Sequence, residues 1–190
     1  TPFSFYHTFV IEEKFGFNKT SKRLFLVDKL KGWLLSATLG GGILAIIIWF
    51  YEKTGDLFWI YTWLFVGVFT IFMTMFYSSL IVPLFNKQTP LEEGTLKDSI
   101  HSFSKKVGFT LNNIYVIDGS KRSTKANAYF SGFGAKKRIV LYDTLINDLN
   151  TEEIVAVLAH EIGHYKKKHV MINMFASLLL TGITLFIFSL

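Results

Sequence analysis

The sequence predicts a mainly α, polytopic membrane protein that carries a small α+β subdomain outside the bilayer. Three observations lead there. The 190 residues are 51% hydrophobic with a mean hydropathy of +0.37, high for a soluble domain. The apolar residues gather into charge-free blocks at 32–51, 57–82 and 170–190, each long enough to cross roughly 30 Å of hydrocarbon. Between the second and third blocks lies a polar stretch with alternating helix and strand signals.

Each block is therefore read as a transmembrane helix. Three buried helices of a soluble core are the alternative, but a chain this short lacks the polar shell to wrap them. Trp33, Trp49, Tyr51, Trp59 and Tyr61 fall near block ends, where amphipathic rings favour the membrane interface. Gly40, Gly41 and Gly42 either admit a close helix neighbour or are simply tolerated in lipid. Thr1 is not an initiator Met and the chain stops at Leu190 as the third block reaches spanning length, so a fragment of a longer chain is expected. Residues 1–30 contain no continuous apolar run of the signal-peptide kind. Without cysteine, disulfides are excluded, and a bound zinc needs His and carboxylate ligands.

Lysines and arginines orient the spans. Lys14, Lys19, Lys22, Arg23, Lys29 and Lys31 precede the first block, Lys53 alone occupies the turn 52–56, and Lys166, Lys167 and Lys168 precede the third. The positive-inside tendency puts a basic segment 1–31 and the subdomain 83–169 on the cytosolic side, either of a bacterial inner membrane or of the endoplasmic reticulum. The formal charge of +6 then calls for membrane lipids as partners and for no nucleic acid. The sequon Asn18-Lys19-Thr20 is expected to be cytosolic and unglycosylated. Oligomeric state is left open.

Within 83–169, Thr89-Pro90-Leu91-Glu92 has the form of a helix start, followed by Leu96, Ile100, Phe103 and Val107 on one face and a terminating Gly108. NIYVID (113–118) and RIVLYD (138–143) read as strands. Between them lies a basic, Gly-rich loop in which Ala126 to Phe130 reads as an edge strand. Asn150-Thr151-Glu152-Glu153 predicts a capping box, opening a helix with Ile154, Val157, Leu158 and Ile162 on its apolar face that either ends before the third span or continues into it.

That helix carries HEIGH. His160 and His164 lie one turn apart on the same face, so both imidazoles can reach a single Zn2+ ion. Glu161 is rotated about 100° from the first ligand and is placed to act as general base rather than as ligand. The chemistry such a pattern serves is metal-assisted peptide hydrolysis. Two exposed histidines on a capped helix is the plainer reading. Gly163 costs about 1 kcal/mol in a helix, which marks either a close approach of backbone or substrate or a tolerated glycine. A third metal ligand is absent: no Asp or Glu follows Glu161, and His169, five residues past His164, sits roughly 140° around a continuous helix and reads as a membrane-interface residue.

DGSKRSTKANAYFSGFGAKKRIVLYDTLI (118–146) followed by VLAHEIGHYKKKH (157–169) closely resembles the CAAX prenyl protease type 1 family, integral-membrane zinc metallopeptidases of the gluzincin kind. The resemblance is strongest over 83–169 and extends into the flanking spans. It implies His160 and His164 as ligands of one zinc per site, Glu161 as general base, and Asn127 and Ala128 as the pair that binds substrate backbone on an edge strand. For Asn127 a turn role is the alternative. It also implies a larger helical barrel of which this chain is part, a third ligand supplied by a downstream Glu, and a peptide or protein substrate carrying a prenyl lipid. Lys125 departs from the His often found just before the Asn-Ala pair in that family. A heat-shock membrane protease and a non-catalytic scaffold with a vestigial HEIGH are the competing functions, and the 190 residues alone are expected to be inactive for want of the third ligand.

Overall fold

The computed structural model describes residues 1–109, 111, 113–132 and 137–190. The Gly-rich loop segment 133–136 that the sequence singles out lies outside them. The chain divides into two compact units, residues 1–26 with 75–163 and residues 27–74 with 164–190.

The second unit is helical. After the short α1 (Pro2–Tyr6) of the first unit, helix α2 (Lys22–Leu35) passes through a π-helical turn at Ser36–Gly40 into α3 (Gly41–Thr54), and a 3-10 turn at Gly55–Leu57 leads to α4 (Phe58–Leu80). Helix α8 (His169–Phe188) completes the unit. Two stretches, Lys22–Leu84 and His169–Phe188, are helical, long and apolar enough to cross a membrane. The first is not one rod. Gly55, at φ +52°, breaks it, and the chain folds back so that the Phe50 ring lies 5.8 Å from that of Tyr61 and 6.2 Å from that of Phe65. One helical stretch thus ends at Thr54 and the next begins at Phe58, and helix begins at Lys22, ten residues ahead of the apolar block that starts at residue 32.

Helices α4 and α8 run antiparallel. Trp59 meets Phe186 ring to ring at 5.2 Å, and Trp63 Nε1 donates to the Leu178 carbonyl at 2.8 Å. A Cβ at Gly182 would stand 2.9 Å from that indole nitrogen, so the indole reaches the helix only because residue 182 has no side chain. Among the described residues the close approach is here and not at the glycine run, where nothing lies within 4 Å of a Cβ at Gly40, Gly41 or Gly42. Leu44, Val68, Phe175, Leu180 and Ile187 stay exposed, an apolar surface that suits lipid and not water.

The first unit holds a four-stranded sheet ordered β1 (Gln88–Pro90), β2 (Ile114–Ile117), β4 (Arg138–Tyr142), β3 (Ala128–Ser131). Strands β2 and β4 are parallel; β1 and β3 pair antiparallel at the two edges. Ile139, Val140 and Leu141 are fully buried at its centre, as continuous β-branched and aliphatic runs require. Helix α5 (Thr95–Lys106) contributes Ile100, helix α6 (Asp143–Asp148) Leu145, and helix α7 (Thr151–Lys166) Ile154, Leu158 and Ile162.

The helix start expected at Thr89-Pro90-Leu91-Glu92 is corrected. Gln88 to Pro90 pair with Ile117 to Tyr115, and Leu91 N–H donates to the Ile114 carbonyl at 2.9 Å, so strand pairing takes the segment and helix waits until Thr95. Proline favours an extended residue before it and is tolerated on a sheet edge, so Thr-Pro suits either fate and β2 decides.

Substituting Gly182→Leu is expected to push α8 off Trp63 and lower stability by about 1–3 kcal/mol. Thermal unfolding of the detergent-solubilised protein, alone and combined with Trp63→Phe, measures this; the two losses should be less than additive.

Candidate metal and substrate site

Helix α7 is built as its sequence dictates. Glu153 N–H donates to Asn150 Oδ1 at 3.0 Å, and Asn150 N–H donates back to Glu153 Oε2 at 2.9 Å, a reciprocal capping box. The buried stripe Ile154, Leu158, Ile162 fixes which face of the helix turns inward. His160 and His164 stand on exposed positions, and Glu161 is half-buried between them. The uninterrupted helix over 151–166 keeps the two histidines one turn apart. Gly163 is exposed with nothing within 4 Å of a Cβ, so among the described residues it admits no close neighbour.

The helix does not run on into the third span. It ends at Lys166, and Lys168 adopts the left-handed conformation (φ 56°, ψ 28°) before α8 starts at His169. This break overturns the angular argument about His169. Its ring turns back onto His164, with the two Nδ1 atoms 2.8 Å apart and the rings edge to face. One nitrogen donates and the other accepts. With His164 as donor, its Nε2 is left as the lone-pair nitrogen, the arrangement in which metal-binding histidines are commonly held. The sequence signal for this contact was only a third histidine near the motif.

These residues fit zinc as a partial donor set. Two imidazoles at helical spacing are suitable ligands, yet among the described residues no three His, Asp or Glu side chains gather closely enough to hold an ion.

The strand Ala128–Ser131 is the edge the sequence leads one to expect, starting two residues later than Ala126. Asn127 is exposed and its Oδ1 accepts from Ala128 N–H at 2.9 Å, while its carbonyl accepts from Tyr142 N–H at 3.0 Å. The Asn127 side chain thus serves its own backbone, the turn role, and the segment is anchored to β4 on one side only. Ala128 is buried opposite Leu141. Beyond them Tyr129 points its hydroxyl to Ser78 Oγ at 3.3 Å, and Gln88 Nε2 donates to the same serine at 3.4 Å. Ser78 is fully buried near the end of α4. Burial raises the Tyr129 phenol above its ordinary value, with the Ser78 hydrogen bond opposing the shift.

The chain belongs to peptidase family M48, whose description matches residues 90–190, and it is an integral membrane protein. Residues 1–87 match a second description, the CAAX prenyl protease N-terminal region with five membrane helices. Among its relatives are CAAX prenyl protease 1 of Saccharomyces cerevisiae, 48% identical over 90% of this chain, and the CAAX prenyl protease 1 homolog of Arabidopsis thaliana, 48% identical over 88%. A crystal structure of S. mikatae Ste24p superposes with a TM-score of 0.91 at 46% identity, covering 99% of this chain and 44% of that one. The chain spans 38% of the yeast protein's length and 40% of the Arabidopsis protein's.

Because the folded pKa of Tyr129 lies above the unfolded one, its contribution to stability is whole below about pH 10 and is lost as pH climbs beyond that value. Melting temperature followed from about pH 9 to about pH 11 should fall less steeply in Tyr129→Phe than in the parent.

Proposed function

We propose that this chain carries part of the catalytic apparatus of a membrane zinc endopeptidase that cleaves near the C-terminus of prenylated CAAX-type proteins or peptides. The observation that carries the reading is HEIGH on a capped, uninterrupted helix in the same chain as an edge strand headed by Asn127-Ala128, within family M48 and beside relatives named CAAX prenyl proteases. In this reading the chain is one section of a larger helical barrel.

His160 and His164 hold one zinc through ring nitrogens, and a third ligand comes from outside these 190 residues. Zinc, when bound, supplies a Lewis acid that acidifies water and polarises the scissile carbonyl. Glu161, rotated off the ligand face, accepts the proton from the attacking water and hands it to the leaving amine. His169 accepts from His164 Nδ1–H and so holds that imidazole in the tautomer and orientation that ligation needs. Substrate backbone adds to the outer edge of β3 as an extended strand, guided by Asn127 and Ala128. Segments 1–31 and 83–169 face the cytosol, with spans at 32–51, 57–82 and 170–190. A lipid-bearing peptide is thereby met at the membrane that retains it.

The deciding experiment uses the full-length protein, a fluorogenic farnesylated CAAX peptide and zinc analysis. One zinc per chain is expected, with cleavage reduced about 100-fold or more by Glu161→Gln while zinc is retained. One zinc without cleavage of this peptide redirects the search to other membrane substrates, and absence of zinc sinks the protease reading. Residues 1–190 alone should bind zinc weakly and fail to cleave.

Replacing His169 by Ala should weaken zinc about 10- to 100-fold in competition with a chromophoric chelator, whereas His169→Asn, which keeps an acceptor, should lose much less. Equal losses in both variants would remove the orienting role.

A further inference from the structure

The N-terminal segment lies more than a hundred residues from the Asn-Ala pair in sequence, yet backbone joins it to residues 122–124, just ahead of that pair. Lys19 N–H donates to the Arg122 carbonyl at 3.0 Å and Thr124 N–H donates to the Phe17 carbonyl at 3.1 Å, flanking an antiparallel bridge between Asn18 and Ser123. Thr20 Oγ1 donates to the same Arg122 carbonyl at 3.1 Å. The crossing segment is stiffened from within: Asn18 Oδ1 accepts from Thr20 N–H at 2.8 Å, and Asn18 Nδ2 donates to Glu13 at 2.7 Å. An ion pair closes the arrangement. Lys125 Nζ lies 2.9 Å from Glu12 Oε1 and 4.7 Å from the centre of the Phe17 ring. Glu12 is mostly covered, at 18% exposure, and the His7 Nε2 lies 3.6 Å from the same carboxylate oxygen.

On the far side, residues 119–125 are held by α6. Ser120 donates from its backbone to Asp143, and Thr144 Oγ1 donates to the Lys125 carbonyl at 3.0 Å. Residues 122–125 are therefore clamped between the N-terminal segment and α6, and Asn127 follows two positions later. A strand edge can capture a peptide only if its hydrogen-bonding groups already stand in register, because ordering them on arrival costs affinity.

We propose that residues Glu12 to Thr20 are a strap that positions the substrate-docking edge of β3, with Glu12 and Lys125 as positioning residues acting through the approach to Asn127. The proposal rests on the reading of β3 as the docking edge. The strap's hydrogen bonds and ion pair reach residues 122–125, just ahead of Asn127, so its loosening acts on substrate capture rather than on the chemical step. Lys125 thereby has a structural partner of its own.

The test is charge reversal in the full-length protein, with kcat and KM for the farnesylated peptide measured alongside hydrogen exchange at Ala128 to Ser131. Lys125→Glu and Glu12→Lys, each placing like charges together, should raise KM roughly fivefold or more at nearly constant kcat and speed exchange along β3. The double reversal should restore both. Asn127→Ala serves as reference for the docking edge. If that variant raises KM and the single reversals do not, or if the double reversal rescues nothing, the strap is overturned alone. If KM ignores Asn127→Ala and the reversals while exchange still responds, the docking-edge reading fails and takes the strap's role in capture with it.

Discussion

A peptide group in hydrocarbon has no water to turn to, so its hydrogen bond must be made within its own helix or a closed barrel. This constraint sorts the whole chain. Lys22–Leu84 and His169–Phe188 satisfy their backbone inside helices, even where the path is interrupted by a π-helical turn at 36–40 or by Gly55. A sheet with an unpaired edge is affordable only where water or a partner can complete it. The sheet accordingly sits in the polar stretch between the second and third apolar segments, and the zinc-motif helix follows it directly.

Much of this was legible because the signals were local. Charge-free length announces a span, and the Asn150–Glu153 box together with the Ile154, Leu158, Ile162 stripe specifies a helix and its buried face without help from elsewhere. Short β-branched runs gave β2 and β4, and a weaker extended pattern gave β3. Reading failed where two local outcomes were close in energy and a distant segment chose. Thr89-Pro90 could open a helix or end an edge strand; the free edge of β2 chose the strand. His169 was misplaced because helical continuation was assumed across three lysines, when a left-handed Lys168 redirects the chain.

The pairing of residues 16–20 with 122–124 was invisible for a different reason. It is made mostly of backbone groups, which every sequence possesses, and its side chains are ordinary polar ones. Long-range contacts of this kind leave little trace in residue choice. The motif, by contrast, is conspicuous because ligation demands particular atoms at particular spacing. The candidate ligands were thus easier to pick out in the sequence than the contacts that surround them.

Strand β1 is the other edge of the sheet, and it is unlike β3. It is three residues long and ends in Pro90, which has no N–H to offer. A short edge depleted of donors makes a poor template for another chain. Of the two margins of this sheet, β3 is the one whose run carries no proline, and it lies antiparallel to β4. One proline thus blunts the β1 margin against stray pairing with other chains.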